Sequence, residues 1–366
     1  MKLPAWCVEA LDRAGGRLDA YLGVADPPYD AILLVSFGGP EGPEEVMPFL
    51  EKVVRGRGVP RARLIEVAEH YYHFGGRSPI NDQNRDLIAA LERTLAQQGP
   101  NLPIYWGNRN WHPLLDDALA AMAKDGVHRA IAFVTAAFSS YSSCRQYREN
   151  IAEAAAKAGP NAPTVDKIRS FFNHPCFVEA VADRLAEALR KLPRGRAQPP
   201  RIVFTAHSIP DSMARNCSYA NQIREAARLA SEAAKSRHWE VAYQSRSGPP
   251  QVPWLEPDIC DRLEELRDEG VTQVCVVPIG FLSDHLEVLY DLDVEAAQHA
   301  GALGMDFVRA GTVGVHPSFV RAVRDLIYER VAHLPVRECT GAMPAVPDNC
   351  PADCCLPPTG GPVRSR

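Results

Sequence analysis

The chain repeats itself at long range. His174-Pro-Cys-Phe-Val-Glu-Ala-Val-Ala-Asp183 is matched by His316-Pro-Ser-Phe-Val-Arg-Ala-Val-Arg-Asp325 at an offset of 142 residues. Phe133-Val-Thr-Ala-Ala-Phe138 is matched by Val276-Val-Pro-Ile-Gly-Phe281 at 143, and Asp125-Gly-Val127 by Glu269-Gly-Val271 at 144. Chance accounts for any one match, but three in near-constant register imply two similar halves. Residues 31–37, 103–107 and 130–138 read as apolar strands, and 43–54, 85–98, 114–124 and 145–158 have helical periodicity. The alternation continues to His333. Such alternation gives mostly parallel sheets with helices on both faces. The predicted fold class is α/β: two Rossmann-like halves with the active site in the cleft between them.

Two segments stand where such a fold binds ligands. Thr205-Ala-His207-Ser-Ile-Pro210 puts a histidine at the end of the apolar strand 201–205. Gly280-Phe-Leu-Ser-Asp284-His285-Leu-Glu287-Val-Leu-Tyr290-Asp291-Leu-Asp293 follows the apolar run 274–279 and opens a helix. Open α/β sheets bind ligands beyond the carboxyl ends of their strands. Glu287, Asp291 and Glu295 recur every four residues and share one helix face. Like charges at that spacing cost stability, so the row points to a bound cation or to proton traffic. Asp284 and His285 read as caps of the helix start. The plain alternatives are a core histidine for His207 and a solvated helix face for the carboxylates. For Glu295 that alternative is nearly as good.

Composition removes other classes. Net charge is −5 and the pI is near 6.1, so no basic footprint points to nucleic acid. No apolar run approaches the roughly 18 residues of a membrane span, and residues 1–31 lack a signal peptide's apolar core. The cytoplasm is the expected compartment. Residues 1–28 read as an N-terminal extension, 29–165 and 166–335 as the two halves, and 336–366 as a Cys-rich tail. The tail is too rich in Pro and Gly to build a core alone. Of the ten cysteines, Cys275 lies in an apolar strand and reads as core, whereas Cys339, Cys350, Cys354 and Cys355 gather at the end.

Taken together, these words resemble the ferrochelatases, which insert iron into a porphyrin. The resemblance runs in order over residues 29–335. It includes Leu34-Val-Ser-Phe37-Gly-Gly-Pro40, Arg55-Gly-Arg57-Gly, Phe74-Gly-Gly-Arg-Ser78-Pro79-Ile-Asn81, Trp106-Gly-Asn-Arg109-Asn-Trp111, Ser139 to Tyr147, and Gln244-Ser-Arg246-Ser-Gly248. Metallation removes two pyrrole protons and delivers a desolvated dication, and a neutral imidazole suits either task. The resemblance implies His207 and Glu287 as catalytic residues and ligands of the Fe(II) substrate, with Asp291 and Glu295 as an outer metal or proton path. It also implies that Ser78 and Tyr147 hydrogen-bond the porphyrin. Arg55, Arg57 and Arg246 are further cations able to pair carboxylates, and Trp254 matches an aromatic position beside the pocket. Phe37 stands where some relatives have a tyrosine that can ligate the metal, so it can only pack on the macrocycle. Arg109 and Asn110 stand where some relatives have a Lys-His pair, so any metal-loading role of that histidine does not transfer. A nucleotide phosphate loop is the rival for Gly38-Gly39, but neither GxGxxG nor a Walker lysine is present.

The tail extends the resemblance to actinobacterial members, whose cysteine tails bind a [2Fe-2S] cluster with a fourth ligand at the position of Cys144. The implied ligands are Cys144, Cys350, Cys354 and Cys355, with Cys339 as the alternate. A zinc–thiolate site or free thiols remain open. That branch implies coproporphyrin III as substrate and coproheme as product. Protoporphyrin IX, a cobalt or nickel chelatase, and a non-enzymatic haem-binding protein are the rival readings. Porphyrin and ferrous iron are the expected partners, with transient contact to other haem-pathway enzymes.

Overall fold

A computed structural model describes residues 28–56 and 58–358. Nearly all of the expected N-terminal extension, Arg57 and residues 359–366 therefore lie outside the described residues. The strands are β1 (Ala31–Ser36), β2 (Ile104–Asn108), β3 (Arg129–Val134), β4 (Thr164–Lys167), β5 (Arg201–His207), β6 (Trp239–Gln244), β7 (Gln273–Val277) and β8 (Asp306–Arg309). Helices of six or more residues are α1 (Val46–Val53), α2 (Arg61–His73), α3 (Ile80–Gln98), α4 (Leu115–Lys124), α5 (Gln146–Ala158), α6 (Pro175–Leu189), α7 (Tyr219–Ala233), α8 (Ile259–Asp268), α9 (Ala297–Ala302) and α10 (Pro317–Val331). Two π-helical stretches, Tyr141–Arg145 and Leu289–Ala296, lie between them.

The strands form two four-stranded parallel sheets, ordered β2-β1-β3-β4 and β6-β5-β7-β8. β1 and β7 are buried along their whole length, as parallel strands covered on both faces must be. In each sheet the chain adds a strand on one side of the first strand and then on the other. The crevice therefore opens past the carboxyl ends of β1 and β3 in one half, and of β5 and β7 in the other. β5 runs on to include His207, and β3 stops at Val134, short of the expected 138. The sequence reading assigned no element to α2, a helix that buries only Leu64 and Ala68 and has little apolar periodicity to read. No helix among the described residues is long and apolar enough to cross a membrane.

The repeated His-Pro segments begin α6 and α10 with proline in the first turn, where its missing N–H costs nothing. Each histidine caps its own helix: Nδ1 of His174 accepts from Cys176 N–H, and Nδ1 of His316 from Ser318 N–H, both at 3.3 Å. The two helices then pack antiparallel. His316 Nε2 lies 3.4 Å from Asp183 of α6, and Arg321 pairs at 2.6 Å with Glu179, its own counterpart in the repeat. A local twofold axis thus passes near the 179–321 pair. α6 follows the first sheet but packs on β7 and β8, while α10 follows the second and packs on β3 and α3. The halves exchange helices, and one core results, centred on Phe133, Phe171, Phe177 and Phe319 with neighbouring ring centroids 5.6–6.4 Å apart.

Candidate active site

His207 is the last residue of β5, and a glycine brings the carboxylate segment to it. Gly280 N–H donates to Thr205 O at 3.0 Å, and a Cβ on Gly280 would lie 2.6 Å from that of Ala206. Only glycine permits that approach. The chain then turns into a single helical turn, Leu286–Val288, capped by His285, whose Nδ1 accepts from Val288 N–H at 3.4 Å. Asp284 does not cap: its carboxylate pairs with Arg309 at 3.0 Å, while its N–H donates to Gln83 of α3 at 2.9 Å. The charge of Arg309 draws the side chain outward and leaves capping to the histidine. Burial holds His285 neutral, pushing it down to about 3.

His207 and Glu287 meet. His207 Nε2 lies 3.7 Å from Glu287 Oε1, with roughly a third of each side chain open to the cleft. Nδ1 of His207 donates to the carbonyl of Ser208. A carbonyl can only accept, so Nδ1 carries a proton here while Nε2 faces Glu287. The Tyr219 hydroxyl donates to His207 O at 3.0 Å and fixes the backbone below the ring.

Glu287 heads a row whose exposure rises outward: Glu287 and Asp291 are half-buried and Glu295 is exposed. The row continues along a π-helix, Leu289–Ala296, rather than the expected α-helix. Such stretches recur at functional sites. Asp291 accepts hydrogen bonds from Ser245 Oγ and, at 3.3 Å, from Gln244 Nε2 at the end of β6. Burial pushes Glu287 up to about 7, and burial with the charge of Glu287 does the same to Asp291. Burial and Asp258 also raise Glu295. All three carboxyls are held above their usual range, so the row favours protons, or a cation in their place.

α2 closes over this row. His70 stacks on Tyr290 at 3.7 Å with the rings 7° from parallel. Tyr71 is half-buried, and Glu287 and Asp291 lie close enough to add to the rise that burial causes in its hydroxyl pKa. Sequence reasoning missed His70, Tyr71 and Tyr290. The His70-Tyr-Tyr-His73 run was the available signal, and it lay in a segment given no element.

The first half supplies an aromatic and cationic wall. Phe37 follows β1 with 38% of its surface exposed and meets Phe49 edge-on at 6.3 Å. Gly38 is required beside it, since its φ is +81° and a Cβ would lie 2.8 Å from that of Asn108. Tyr147 is buried in the first turn of α5, and the Arg109 guanidinium lies 5.1 Å from its ring and 5.8 Å from that of Phe37. Asn110 is buried and ties its N–H to Phe37 O at 3.1 Å. Ser78 is buried behind Gly39, whose Cβ would lie 2.8 Å from the Ser78 Oγ. Arg55 is exposed just past α1. Arg246 is engaged by its own loop, donating to Pro250 O and Val252 O at 3.1 Å. Trp254 packs on Gly248 and bridges to Pro210, so it braces the His207 loop.

The thiols form a separate centre. Cys144 is buried in the first π-helix, opened by a capping box between Ser140 and Ser143. Cys354 Sγ and Cys355 Sγ are 3.5 Å apart. Burial raises Cys350 to about 11 and raises Cys355 further, with Cys354 and Cys144 adding to both. Cys339 is exposed. Cys217, which lies outside the tail, is close enough to act on Cys355. Arg145 clamps the tail, donating to Ala352 O at 2.7 Å and Cys354 O at 3.0 Å. The tail also docks through Asn173 Nδ2 to Met343 O at 2.8 Å and Ala342 N–H to Glu225 at 2.8 Å. Side chains of the body thus hold the backbone of the tail's root at 342 and 343, apart from the thiols.

Residues 29–331 match the ferrochelatase family. A ferrochelatase of Rhodopirellula baltica is 51% identical over 93% of this chain and 99% of its own length. A coproporphyrin III ferrochelatase of Mycolicibacterium smegmatis is 53% identical over 86% of this chain and 94% of its own, and that of Nocardia farcinica 52% identical over 90% and 97%. In fold, the chain is similar to the sirohydrochlorin chelatase SirB of Bacillus subtilis, with a TM-score of 0.50, 16% identity, and 83% of this chain and 96% of that one covered. With a family match over most of its length and relatives at half identity, this chain belongs to the ferrochelatase family.

Proposed function

We propose that the protein inserts ferrous iron into coproporphyrin III, giving coproheme and two protons. The observation that carries this is Nε2 of His207 facing Glu287 at 3.7 Å, at the inner end of a carboxylate row. The macrocycle lies in the crevice, with Phe37 and Tyr147 on the first-half wall and His207 on the other. Fe(II) enters as substrate along Glu295, Asp291 and Glu287, whose raised affinity for protons is equally an affinity for a cation. His207 Nε2 accepts a pyrrole proton as iron takes the nitrogen lone pairs. Glu287, 3.7 Å away, receives it, and Asp291 and Glu295 pass it to water. Ser78, Tyr147 and arginines hold the propionates, each charge-assisted hydrogen bond contributing on the order of 1.5–3 kcal/mol. The aligned coproporphyrin III ferrochelatases support the choice of porphyrin. Anaerobic Fe(II) insertion followed by absorbance tests it: turnover should favour coproporphyrin III over protoporphyrin IX, and the reverse preference would show the substrate to be wrong.

The tail is read as the seat of a [2Fe-2S] cluster held by Cys144, Cys350, Cys354 and Cys355. The donor set suits it: Cys354 Sγ and Cys355 Sγ lie 3.5 Å apart, and Cys354 and Cys144 act on both Cys350 and Cys355. A bound cluster would supply one-electron redox chemistry there. The chain's own part is to position the thiols: the π-helix presents Cys144, and Arg145 fixes the carbonyls of Ala352 and Cys354.

A further inference from the structure

One half-buried cation of the first-half wall is not yet used by this chemistry. Arg109 follows β2 directly, and its N–H donates to Ser36 O at 3.0 Å, so its backbone is fixed to the end of β1. Its guanidinium lies between the rings of Phe37 and Tyr147, at 5.8 and 5.1 Å, and hydrogen-bonds the Tyr147 hydroxyl. Among the described residues no carboxylate pairs with it. The neighbouring arginines differ. Arg85 is paired with Glu41 and Asp82, and Arg246 is engaged by its own loop.

A guanidinium stays charged at every accessible pH, and a half-buried charge without a counter-charge is costly. Its unused donors therefore call for an anion that arrives with the ligand. The flanking rings mean that this anion is attached to a flat apolar body. Resting on the porphyrin reading, we propose that Arg109 receives a propionate at the inner edge of the macrocycle and selects porphyrins that carry carboxylates all round. Protoporphyrin IX has its two propionates side by side. If they point to the cleft mouth, Arg109 meets only methyl and vinyl groups and stays unpaired. Coproporphyrin III satisfies mouth and inner wall together. Arg109 thus attracts one substrate and penalises the other, and both effects feed selectivity.

Arg109→Gln and Arg109→Lys test this, with porphyrin affinity read by fluorescence quenching in the absence of iron and with turnover measured separately. The Gln variant should bind coproporphyrin III at least tenfold more weakly and protoporphyrin IX as well as or better than the parent, so the preference collapses. Its turnover at saturating porphyrin should fall less than threefold. The Lys variant, keeping the charge without the fork, should recover part of the coproporphyrin affinity and make it more salt-sensitive. Retained protoporphyrin binding checks that the Gln variant is folded; if it is not, the Lys variant alone must still show a selective coproporphyrin loss. Equal weakening toward both porphyrins, or none toward either, overturns the assignment of Arg109. Failure of the parent protein to metallate coproporphyrin III overturns the functional reading instead, whatever the Arg109 variants bind.

Discussion

At the scale of residues, the site turns on which atom holds a proton. In the proposed reaction Nδ1 of His207 is committed to the Ser208 carbonyl, and Glu287, facing Nε2, would take the proton that Nε2 gives up. His207→Ala should abolish insertion while porphyrin quenching persists; near-normal turnover would remove His207 from the mechanism. Glu287→Gln keeps the shape and loses the charge, so turnover should drop roughly 10²–10⁴-fold, the span of general acid–base catalysis, with little change in porphyrin affinity. The raised carboxyl also carries a stability signature. Its folded value of about 7 lies above the ordinary 4.5 of a glutamate, so folding binds a proton. The contribution is fully present below pH 4.5 and is lost as pH rises through about 7. Glu287→Gln should therefore melt above the parent at pH 8 and together with it below pH 4.5; a gap that widens toward acid would reverse the sign. His207 and Glu287 were legible because each stands in a long, specific word at a strand end. Tyr71, and the place of Arg109 between two rings, were not legible, because their meaning comes from helices and strands remote in sequence that only packing brings together.

At the scale of elements, both π-helices sit where chemistry is placed, one carrying Cys144 and the other Asp291 and Glu295. Their extra backbone residue leaves no mark in hydrophobic periodicity, which is why an α-helix was expected over the carboxylate row. The tail shows the opposite case: its cysteines were plain in the sequence, but its docking was not, since side chains remote in sequence, Arg145 and Asn173, reach its backbone carbonyls. Protein purified without oxygen should be brown and carry about two irons and two sulfides per chain. Serine at Cys144, Cys350, Cys354 or Cys355 should bleach it, whereas serine at Cys260, Cys275 or the exposed Cys339 should not. Because hydrogen bonds hold the tail's root, bleached variants should become open to protease near residues 350–358 while 338–343 stay protected. Zinc alone on elemental analysis would replace the cluster with a structural thiolate site. Colour lost with Cys339 and kept without Cys355 would redraw the ligand set.

At the scale of the whole molecule, the duplication predicted two sheets of one design, and the offset of 142 also marked the helices that bind the halves together. What the repeat did not reveal is that those helices change places, so that α10 closes the first half and the tail leaves from beneath it. The joint is a buried ion pair. Arg169 donates to both oxygens of Glu329 at 2.8 Å, with the two side chains 0% and 1% exposed. The same guanidinium donates to Glu338 O at 2.7 Å, and Glu338 N–H returns to Glu329 at 2.8 Å. Around it, burial pushes His174 down to about 3 and Glu338 up to about 7, so the imidazole is neutral beside a carboxyl that favours its proton. Arg169 balances Glu329, and Arg324 balances Asp325, which it meets at 2.6 Å. Arg169→Met removes one partner and leaves Glu329 buried without its cation, which should cost about 3–5 kcal/mol of stability in urea unfolding. It should also open 336–343 to protease, since the bond to the Glu338 carbonyl goes with it. Adding Glu329→Leu removes the stranded charge, and much of the loss should return, because a buried pair replaced by apolar groups is often neutral. A single variant as stable as the parent would show that the pair does not hold the halves. A double variant no better than the single would place the loss in the Glu338 contacts rather than in the charge.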